Sequence, residues 1–253
     1  MASNPFAQAR AERRTLLMGW ATLGSPYVIE LMGEAGLGAV LIDQQHGIGG
    51  SDDLVNCLVA ARAAGLPALV RPRAIDAGLI GQALDAGAHG VLCPMVCTAG
   101  DAERIVQACK YPPRGRRSWG PYRGKFLADE EYFAASGALT VAGAQIETRE
   151  ALDALDSILA VDGLDLVLVG PNDLAIALTG ERDIRRPEVV EAIALVLDKC
   201  REHAVIPAIF ANDIDYARPL VKAGWTVVTV SSDAGLLSGA LKSVAAAVAG
   251  DRS

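Results

Sequence analysis

Short apolar segments alternate with longer amphipathic ones along the whole chain. Eight of the apolar segments are rich in β-branched residues and mostly lack interleaved polar residues, which is typical of parallel strands buried on both faces. Glycines such as Gly65, Gly87 and Gly224 precede several of these segments and predict the ends of helices. We predict strands at Met18–Leu23, Gly38–Asp43, Ala68–Arg71, Gly90–Pro94, Thr140–Glu147, Leu164–Val169, Ile206–Phe210 and Thr226–Ser231.

Eight strand–helix units in 253 residues predict an α/β fold, namely a single (β/α)8 barrel over residues 1–253. No linker-like segment divides the chain, and residues 1–14 are expected to be a poorly ordered N-terminal extension. A doubly wound open sheet is the alternative. That fold usually has a G-x-G-x-x-G turn after its first strand, whereas the first turn here is Leu23-Gly24-Ser25-Pro26.

Residues 110–137 depart from this rhythm, because they contain no strand signal. The segment carries Trp119 and Tyr122, and it includes Arg116, Arg117 and Arg123. A loop of this length in a compact domain usually has a function or forms an interface. We therefore expect it to fold over one end of the barrel.

Composition excludes several classes of partner. The net charge of −7 argues against nucleic acid, since a phosphate-backbone binder needs a basic face. No apolar run reaches the roughly 18 residues that span a membrane, and the first residues lack the apolar core of a secretory signal. The five cysteines are scattered through apolar segments and are expected to be free thiols. These features predict a cytoplasmic protein that acts on small molecules.

Polar residues stand where four of the predicted strands end. The second strand runs into Asp43 and His46, the third ends in Arg71, and the fifth ends in Gln145 and Glu147. The sixth runs into the turn Gly170-Pro171-Asn172-Asp173. Catalytic groups of (β/α)8 barrels stand at the C-terminal ends of the strands, so these side chains are expected to share one mouth.

Glu147 and Asp173 are candidate metal ligands. Two carboxylates on adjacent strand ends repel each other unless a cation lies between them, and Mg²⁺ or Mn²⁺ prefers oxygen ligands. Each residue also has a simpler interpretation. Glu147 could be a surface acid, and Asp173 could cap the helix that follows the sixth strand.

His46 and Arg71 are candidate catalytic residues. His46 lies in a polar turn beside Gly47 and could accept a proton, or it could only form local hydrogen bonds. An arginine that ends a buried strand should face a carboxylate or an anionic substrate, so Arg71 could also form an internal ion pair. We expect His89 and His203 to be structural, because His89 precedes a strand at the opposite end of the barrel and His203 lies in a late helix. The backbone N–H groups after Gly170 would suit a small carboxylate.

At these residues the sequence resembles the HpcH/HpaI aldolase family of the pyruvate/phosphoenolpyruvate barrel superfamily. The resemblance extends from residue 18 to about residue 235, in family order. Its motifs are Asp43-Gln44-Gln45-His46-Gly47, Val70-Arg71-Pro72, Leu84-Asp85-Ala86-Gly87-Ala88, Pro94-Met95-Val96, Tyr111-Pro112-Pro113-Arg114-Gly115, Gln145-Ile146-Glu147-Thr148 and Gly170-Pro171-Asn172-Asp173-Leu174.

The resemblance implies a class II pyruvate aldolase that cleaves a 4-hydroxy-2-keto acid to pyruvate and an aldehyde. It implies that His46 is the base, that Asp85 of the same or a neighbouring subunit raises its basicity, and that Arg71 stabilises the enolate oxygen. It also implies a divalent metal (Mg²⁺, Mn²⁺ or Co²⁺) on Glu147 and Asp173. The substrate would be positioned by Gln145 and by the turn of Gly170, Pro171, Asn172 and Asp173. A last helix exchanged between subunits and a homohexamer, a trimer of dimers, are implied as well.

Two departures from the family pattern are visible. Gln45 stands where the family usually has Glu, and the region Ser118-Trp119-Gly120-Pro121-Tyr122 differs from the common pattern. We expect that region to face the aldehyde. A lyase acting on a CoA thioester, of the citryl-CoA type, and a non-catalytic keto-acid-binding barrel remain alternatives. The absence of a lysine at a strand end disfavours a Schiff-base aldolase.

Overall fold

A computed structural model describes residues 4–250, and it contains a closed barrel of eight parallel strands in sequential order. Leu16 of the first strand pairs with Val227 of the last, which closes the barrel. The predicted fold class is thereby confirmed, and the open sheet is excluded. The strands are β1 Leu16–Ala21, β2 Ala39–Asp43, β3 Ala68–Arg71, β4 Gly90–Cys93, β5 Val141–Ile146, β6 Leu166–Val169, β7 Ile206–Ala211 and β8 Val227–Val230.

Helices surround the barrel and connect its strands. Two short 3₁₀ segments, Gly124–Leu127 and Asp129–Glu131, lie between α5 and α6. The α-helices are α1 Pro5–Ala11, α2 Pro26–Glu34, α3 Ser51–Ala63, α4 Ala77–Asp85, α5 Ala99–Cys109, α6 Tyr132–Leu139, α7 Arg149–Asp153, α8 Leu155–Leu159, α9 Pro171–Thr179, α10 Pro187–Glu202, α11 Ile214–Ala223 and α12 Asp233–Gly250. None of the helices in the described part of the chain is long and apolar enough to cross a membrane.

The interior of the barrel is filled by alternate residues of each strand, because successive side chains of a strand point to opposite faces. Leu41, Leu69 and Leu168 belong to one buried cluster inside the barrel. The same alternation puts Asp43, Arg71 and Gln145 on the inner side, one layer nearer the C-terminal ends of the strands. The polar mouth is therefore a continuation of the apolar core.

The N-terminal segment is more ordered than expected. Residues 1–3 lie outside the described residues, but α1 packs Phe6 and Ala9 into the interior cluster of the barrel, both with no exposed surface. Asn4 caps this helix by accepting hydrogen bonds from the backbone N–H groups of Phe6 and Ala7. The prediction of a poorly ordered extension is wrong for residues 4–14, because one aromatic side chain fills the open bottom of the barrel.

The long segment after α5 lies at the opposite end of the barrel from its expected position. Helix α5 ends at the N-terminal side of the strands, and the segment runs from there to the start of β5. Its Arg123 donates a backbone hydrogen bond to Asp85 O (2.9 Å) and a side-chain bond to Ala86 O, both just before β4. Trp119 packs in an aromatic cluster with Tyr111 at a centroid distance of 5.3 Å. The expectation that this region faces the aldehyde is therefore wrong within a single chain.

Helix α12 extends away from the barrel. Every residue from 235 to 249 is exposed. One side of the helix carries a set of apolar residues that are each more than half exposed: Leu236, Leu237, Leu241, Val244 and Val248. This face has no covering surface in one chain.

Candidate active site

A cavity of about 220 Å³ opens at the C-terminal ends of the strands. Seven of the predicted site residues line it together: His46, Arg71, Gln145, Gly170, Pro171, Asn172 and Asp173. Its remaining lining residues are Trp20, Thr22, Asp43, Phe210 and Ser232. A larger cavity of about 500 Å³ lies elsewhere, between α4 and α5, and contains none of these groups.

Arg71 is held rigidly by Asp43. Its Nε and one terminal nitrogen donate to the two Asp43 oxygens at 2.9 and 2.5 Å, and its guanidinium lies 4.7 Å from the Trp20 ring centroid. Burial acts to raise the pKa of Asp43, but the Arg71 pair and hydrogen bonds from His46 N–H and Trp20 Nε1 together lower it. Asp43 is thus an ionised anchor. Arg71 therefore forms an internal ion pair and also faces the cavity in which a substrate would bind.

Gln145 connects Arg71 to Glu147. Its Oε1 accepts a hydrogen bond from Arg71 at 3.4 Å, and its Nε2 donates to Glu147 Oε2 at 2.5 Å. The other Glu147 oxygen accepts the backbone N–H of Met95 at 2.8 Å. Met95 has a φ of 56°, a left-handed conformation that is uncommon for a residue with a side chain. This backbone strain presents an N–H group to the carboxylate.

Glu147 is 4% exposed, and no lysine or arginine forms an ion pair with it in the described residues. Burial raises the pKa of Glu147 above its usual range, and the nearby Asp173 carboxylate adds to the increase. A cation shared by the two carboxylates would remove this penalty.

The α9 N-terminus completes the acidic side of the mouth. Gly170 precedes the helix and has no side chain to cap it, so the first-turn N–H groups remain available to a ligand. A Cβ at Gly170 would lie 2.8 Å from Gln145 Nε2 and 3.0 Å from Glu147 Oε2. The absence of that Cβ leaves room beside Glu147. The Asn172 side chain is occupied by a reciprocal amide pair with Asn212 at 2.9 and 3.1 Å.

These residues fit a hard divalent ion. No cluster of three or more His, Cys, Asp or Glu side chains suited to a metal occurs in residues 4–250. Mg²⁺ commonly uses one or two carboxylates and completes its coordination with water and substrate oxygens, so the Glu147 and Asp173 pair meets that requirement. The oxygen-only donor set also favours Mg²⁺ or Mn²⁺ over zinc.

His46 stands at the exposed rim of the same mouth. The Asp43 Oδ1 atom accepts the backbone N–H groups of Gln45 and His46 at 3.0 and 3.2 Å, which fixes the turn. The imidazole itself is exposed and makes no hydrogen bond to the described residues. Gln45 Oε1 is buried without a hydrogen-bond partner in the same part of the chain.

Two predicted site residues do not line the cavity: Glu147, which lies directly behind Gln145, and Asp85, which lies away from the mouth. Only Asp85 is far from the other site residues. It ends α4, before β4, and therefore lies at the other end of the barrel from His46. Its Oδ1 accepts a hydrogen bond from Arg117 at 2.7 Å. An interaction between Asp85 and His46 would require two chains.

Sequence reasoning missed several residues of the mouth. Trp20 and Phe210 form an edge-to-face pair with a centroid distance of 5.3 Å, and Thr22 and Ser232 face the same cavity. Trp20 and Phe210 are at or near the ends of β1 and β7, so strand position and inward parity could have identified them. Nothing in the sequence distinguishes Thr22 or Ser232 from ordinary loop residues.

Known proteins provide the comparison for this site. Residues 16–240 match the family model described as HpcH/HpaI aldolase/citrate lyase. The chain is 37% identical over 237 residues to a hydroxypyruvate/pyruvate aldolase of Rhizorhabdus wittichii, covering 93% of this chain and 94% of that protein. It is 35% identical to a 4-hydroxy-2-oxovalerate aldolase of Rhodococcus jostii, with coverage of 96% and 95%.

A solved structure agrees with the sequence comparison. An HpcH/HpaI aldolase/citrate lyase family protein from Burkholderia cenocepacia superimposes with a TM-score of 0.89 at 32% identity, covering 99% of this chain and all of that one. The family match spans all eight strands and the mouth residues described above. The chain belongs to the HpcH/HpaI aldolase/citrate lyase family, and it is a carbon–carbon lyase of the aldolase type.

Proposed function

We propose that this chain catalyses the reversible cleavage of a 4-hydroxy-2-keto acid, with Glu147 and Asp173 holding a divalent metal. The observation that carries the proposal is the continuous chain of contacts Asp43–Arg71–Gln145–Glu147 in the mouth. These contacts hold the Arg71 guanidinium, a fixed positive charge, beside the carboxylates of Glu147 and Asp173. Such an arrangement suits a substrate that carries a carboxylate and a ketone next to each other.

The metal would act as a Lewis acid toward the keto acid when bound. The N–H groups at the start of α9 would bind the substrate carboxylate, with Gly170 and Pro171 shaping that side and Asn172 held in place by Asn212. Arg71, with its position fixed by Asp43, would stabilise negative charge on the enolate oxygen. Gln145 would orient both Arg71 and Glu147.

His46 would take the proton of the C4 hydroxyl group in cleavage and return it in addition. An exposed imidazole at the rim is suited to that exchange, directly or through a water molecule. In cleavage the C3–C4 bond breaks, the departing carbon becomes an aldehyde, and the bonding pair remains on the enolate. The donor product is pyruvate or a hydroxylated analogue, as the names of the relatives suggest.

No Schiff-base lysine is available in the mouth. None of its lining residues is a lysine, and the buried Lys110 is committed at the other end of the barrel. Its Nζ donates to Gly137 O, Thr140 O and Asp165 at 2.9, 2.6 and 3.0 Å. This arrangement supports metal dependence over covalent catalysis.

Asp85 would reach His46 from a neighbouring subunit of a homo-oligomer. The uncovered apolar face of α12 supports assembly, since contiguous exposed apolar surface usually marks an interface. Asp85 also borders the 500 Å³ cavity with Arg104 and Arg116. A trimer of dimers built by exchange of α12 is the assembly we propose.

The decisive assay is pyruvate release from a 4-hydroxy-2-keto acid before and after chelation. Activity should disappear with the chelator and return with Mg²⁺, Mn²⁺ or Co²⁺, and borohydride in the presence of substrate should not inactivate the enzyme. Full activity in the chelated protein, or borohydride trapping, would contradict the proposal. A product that forms only with a CoA thioester would favour the citryl-CoA type of reaction.

A further inference from the structure

Asp233 is a buried carboxylate near the mouth that the mechanism above does not use. It is the first residue of α12 and is 6% exposed. Its Oδ1 accepts the Thr22 backbone N–H (2.8 Å), the Thr22 hydroxyl (2.6 Å) and the Ala234 N–H (2.8 Å), and its Oδ2 accepts the Leu23 N–H (3.1 Å). Three of these four donors belong to the turn after β1. The carboxylate therefore fastens α12 to that turn.

Thr22 in turn holds the loop that carries His46. Thr22 lines the mouth, and its carbonyl accepts the backbone N–H of Ile48 at 2.9 Å. In the same loop, between His46 and Ile48, a Cβ at Gly47 would lie 3.1 Å from Thr22 O and 2.0 Å from Asp43 O. The His46 loop is thus fixed on one side by Asp43 and on the other by Thr22.

Asp233 is also the only buried residue of α12 within the described side chains. The helix leaves the barrel through Ser231, whose φ is 59°, and Ser232, whose hydroxyl accepts the Gly235 N–H at 3.1 Å. Beyond that point every residue up to 249 is exposed. The direction of the helix therefore depends on this one buried anchor and the two serines beside it.

We infer that Asp233 is a positioning residue that couples the direction of α12 to the placement of His46, through Thr22. The inference rests on the proposed function, because it assigns the proton transfer to His46. It extends that function by linking the base to the helix whose apolar face has no cover in one chain. Assembly through α12 and proton transfer at the mouth then share one anchor.

The first test compares Asp233→Asn with wild type. The amide keeps the size of the side chain but accepts at only one of its two terminal atoms, so an NH2 group must face either the Leu23 N–H or the three donors that now bind Oδ1. The substitution should therefore loosen the turn of Thr22 and Leu23 and the His46 loop. We expect kcat for cleavage to fall by about 10- to 100-fold. The KM of the keto acid and the metal affinity should change by less than about threefold, because their groups lie on β3, β5, β6 and α9. An unchanged kcat would overturn the inference.

Asp213→Asn is the matched control. Asp213 caps α11 at the same end of the barrel by accepting the Tyr216 N–H at 2.7 Å, and it does not line the mouth. This variant exchanges a helix-terminal carboxylate for an amide as Asp233→Asn does, but Asn can still cap α11 and Thr22 stays in place. We expect its kcat to equal that of wild type within about twofold. An equal loss of kcat in both variants would show a general stability effect and overturn the inference.

A double-mutant cycle with Thr22→Val tests the route. Valine keeps the shape of threonine and removes the hydroxyl that donates to Asp233. If Asp233 acts through Thr22, the double variant should lose no more kcat than the worse single variant. Thr22→Ser should retain most of the rate. Independent, multiplicative losses would overturn the route, and Thr22→Val alone carries the test if Asp233→Asn does not fold.

Hydrogen–deuterium exchange provides a readout that does not depend on activity. In Asp233→Asn, exchange should rise together in residues 44–50 and at the start of α12, whereas Asp213→Asn should leave both unchanged. Unchanged exchange in residues 44–50 overturns the inference even if the chain proves to be an aldolase. If exchange rises in Asp233→Asn but the wild-type chain shows no metal-dependent cleavage, the proposed function fails while the mechanical coupling stands.

Discussion

At the scale of single residues, the mouth depends on charges fixed by particular partners. Arg71 is held by Asp43, and Glu147 is held by Gln145 and the Met95 N–H. His46 and Asp173 are both exposed, and neither side chain forms a hydrogen bond with the described residues. Arg71 and Glu147 are thus fixed before substrate binds, whereas the side chains of His46 and Asp173 are free to adjust to a ligand.

Replacing His46 by alanine should abolish most cleavage without affecting metal binding. The loss of a general base typically costs about 10²–10⁴ in rate, and the imidazole is not one of the proposed ligands. Pyruvate release and calorimetric titration with Mg²⁺ measure the two properties. His203→Ala is the control, because His203 contacts Asp156 on the outer surface. A wild-type rate in His46→Ala would remove the histidine from the mechanism.

Gly170→Ala should weaken metal binding by about tenfold or more. The added Cβ would lie 2.8 Å from Gln145 Nε2 and 3.0 Å from Glu147 Oε2, so both side chains must move. Gly137→Ala is the control, because a Cβ there has no neighbour within 4 Å and lies in a helix. The metal affinity of both variants can be titrated. Equal affinities would mean that Glu147 is not a ligand.

Seven mouth residues could be predicted because the sequence shows where strands end and which alternate residues of a strand point into the barrel. Gln145 lies on β5 and Glu147 follows two positions later, directly after the strand ends, so both are expected on the same side once the strand is placed. The Asp43–Arg71 pair could not be assigned, because an arginine at a strand end meets either a carboxylate or a substrate. The contacts of Asp233 were also hidden, since they join residues more than 200 positions apart.

At the scale of elements, the strands could be predicted from their apolar runs, but the connections between the strands could not. Strand β3 matches its prediction residue for residue, whereas β1 begins two residues earlier than predicted. Leu16 pairs with β8 across the barrel seam, a contact that local patterning cannot show. The helical stretch after Glu147 divides into α7 and α8.

The segment 110–137 was misplaced for a topological reason. Loops that follow strands lie at the catalytic end of a barrel, and loops that follow helices lie at the other end. The segment follows α5, so its aromatic residues belong to the lower end. The length of the segment alone marked it as unusual, but the end of the barrel at which it lies was assigned without locating α5 precisely.

His89 makes a pH-dependent contribution to the stability of β3 and β4. Burial lowers the pKa of His89 to about 4, and its Nδ1 accepts the Ala68 N–H at 3.2 Å. The unfolded chain binds this proton near pH 6.5, so stability is lost as the pH falls from about 6.5 toward 4. His89→Asn keeps a possible acceptor and removes the titration.

Urea unfolding at pH 7, 5.5 and 4.5 tests this contribution. The free energy of unfolding of wild type should fall more steeply than that of His89→Asn, with a difference of at most about 3 kcal/mol at the lowest pH. The sign is fixed because the folded state favours the neutral imidazole. Parallel pH dependences in the two proteins would show that His89 is not responsible.

At the scale of the whole molecule, one chain carries two incomplete surfaces. Helix α12 exposes an apolar face, and Asp85 lies at the end of the barrel away from His46.

Leu241→Glu should shift the assembly toward smaller species, because it buries a charge in the proposed interface. Lys242→Glu, on the other side of the helix, is the control for added negative charge. Light scattering measures both, and identical masses would contradict an interface on this face.

Subunit complementation tests whether His46 and Asp85 come from different chains. His46→Ala subunits lack the base but supply Asp85, and Asp85→Ala subunits supply the base. Each variant alone should be weakly active. After mild dissociation and reassociation of equal amounts, random pairing puts two native residues together at about a quarter of the sites. Activity should therefore rise well above either parent, toward that fraction of the wild-type rate.

The control for complementation is a mixture of His46→Ala with the doubly substituted His46→Ala/Asp85→Ala chain. That mixture contains no His46 and should gain nothing, although its subunits exchange equally well. Native mass spectrometry of differently tagged chains confirms that hybrids have formed. If verified hybrids of the two single variants remain at the parental rate, Asp85 does not serve a neighbouring His46. Its role would then be confined to the ion pair with Arg117 that holds the aromatic segment in place.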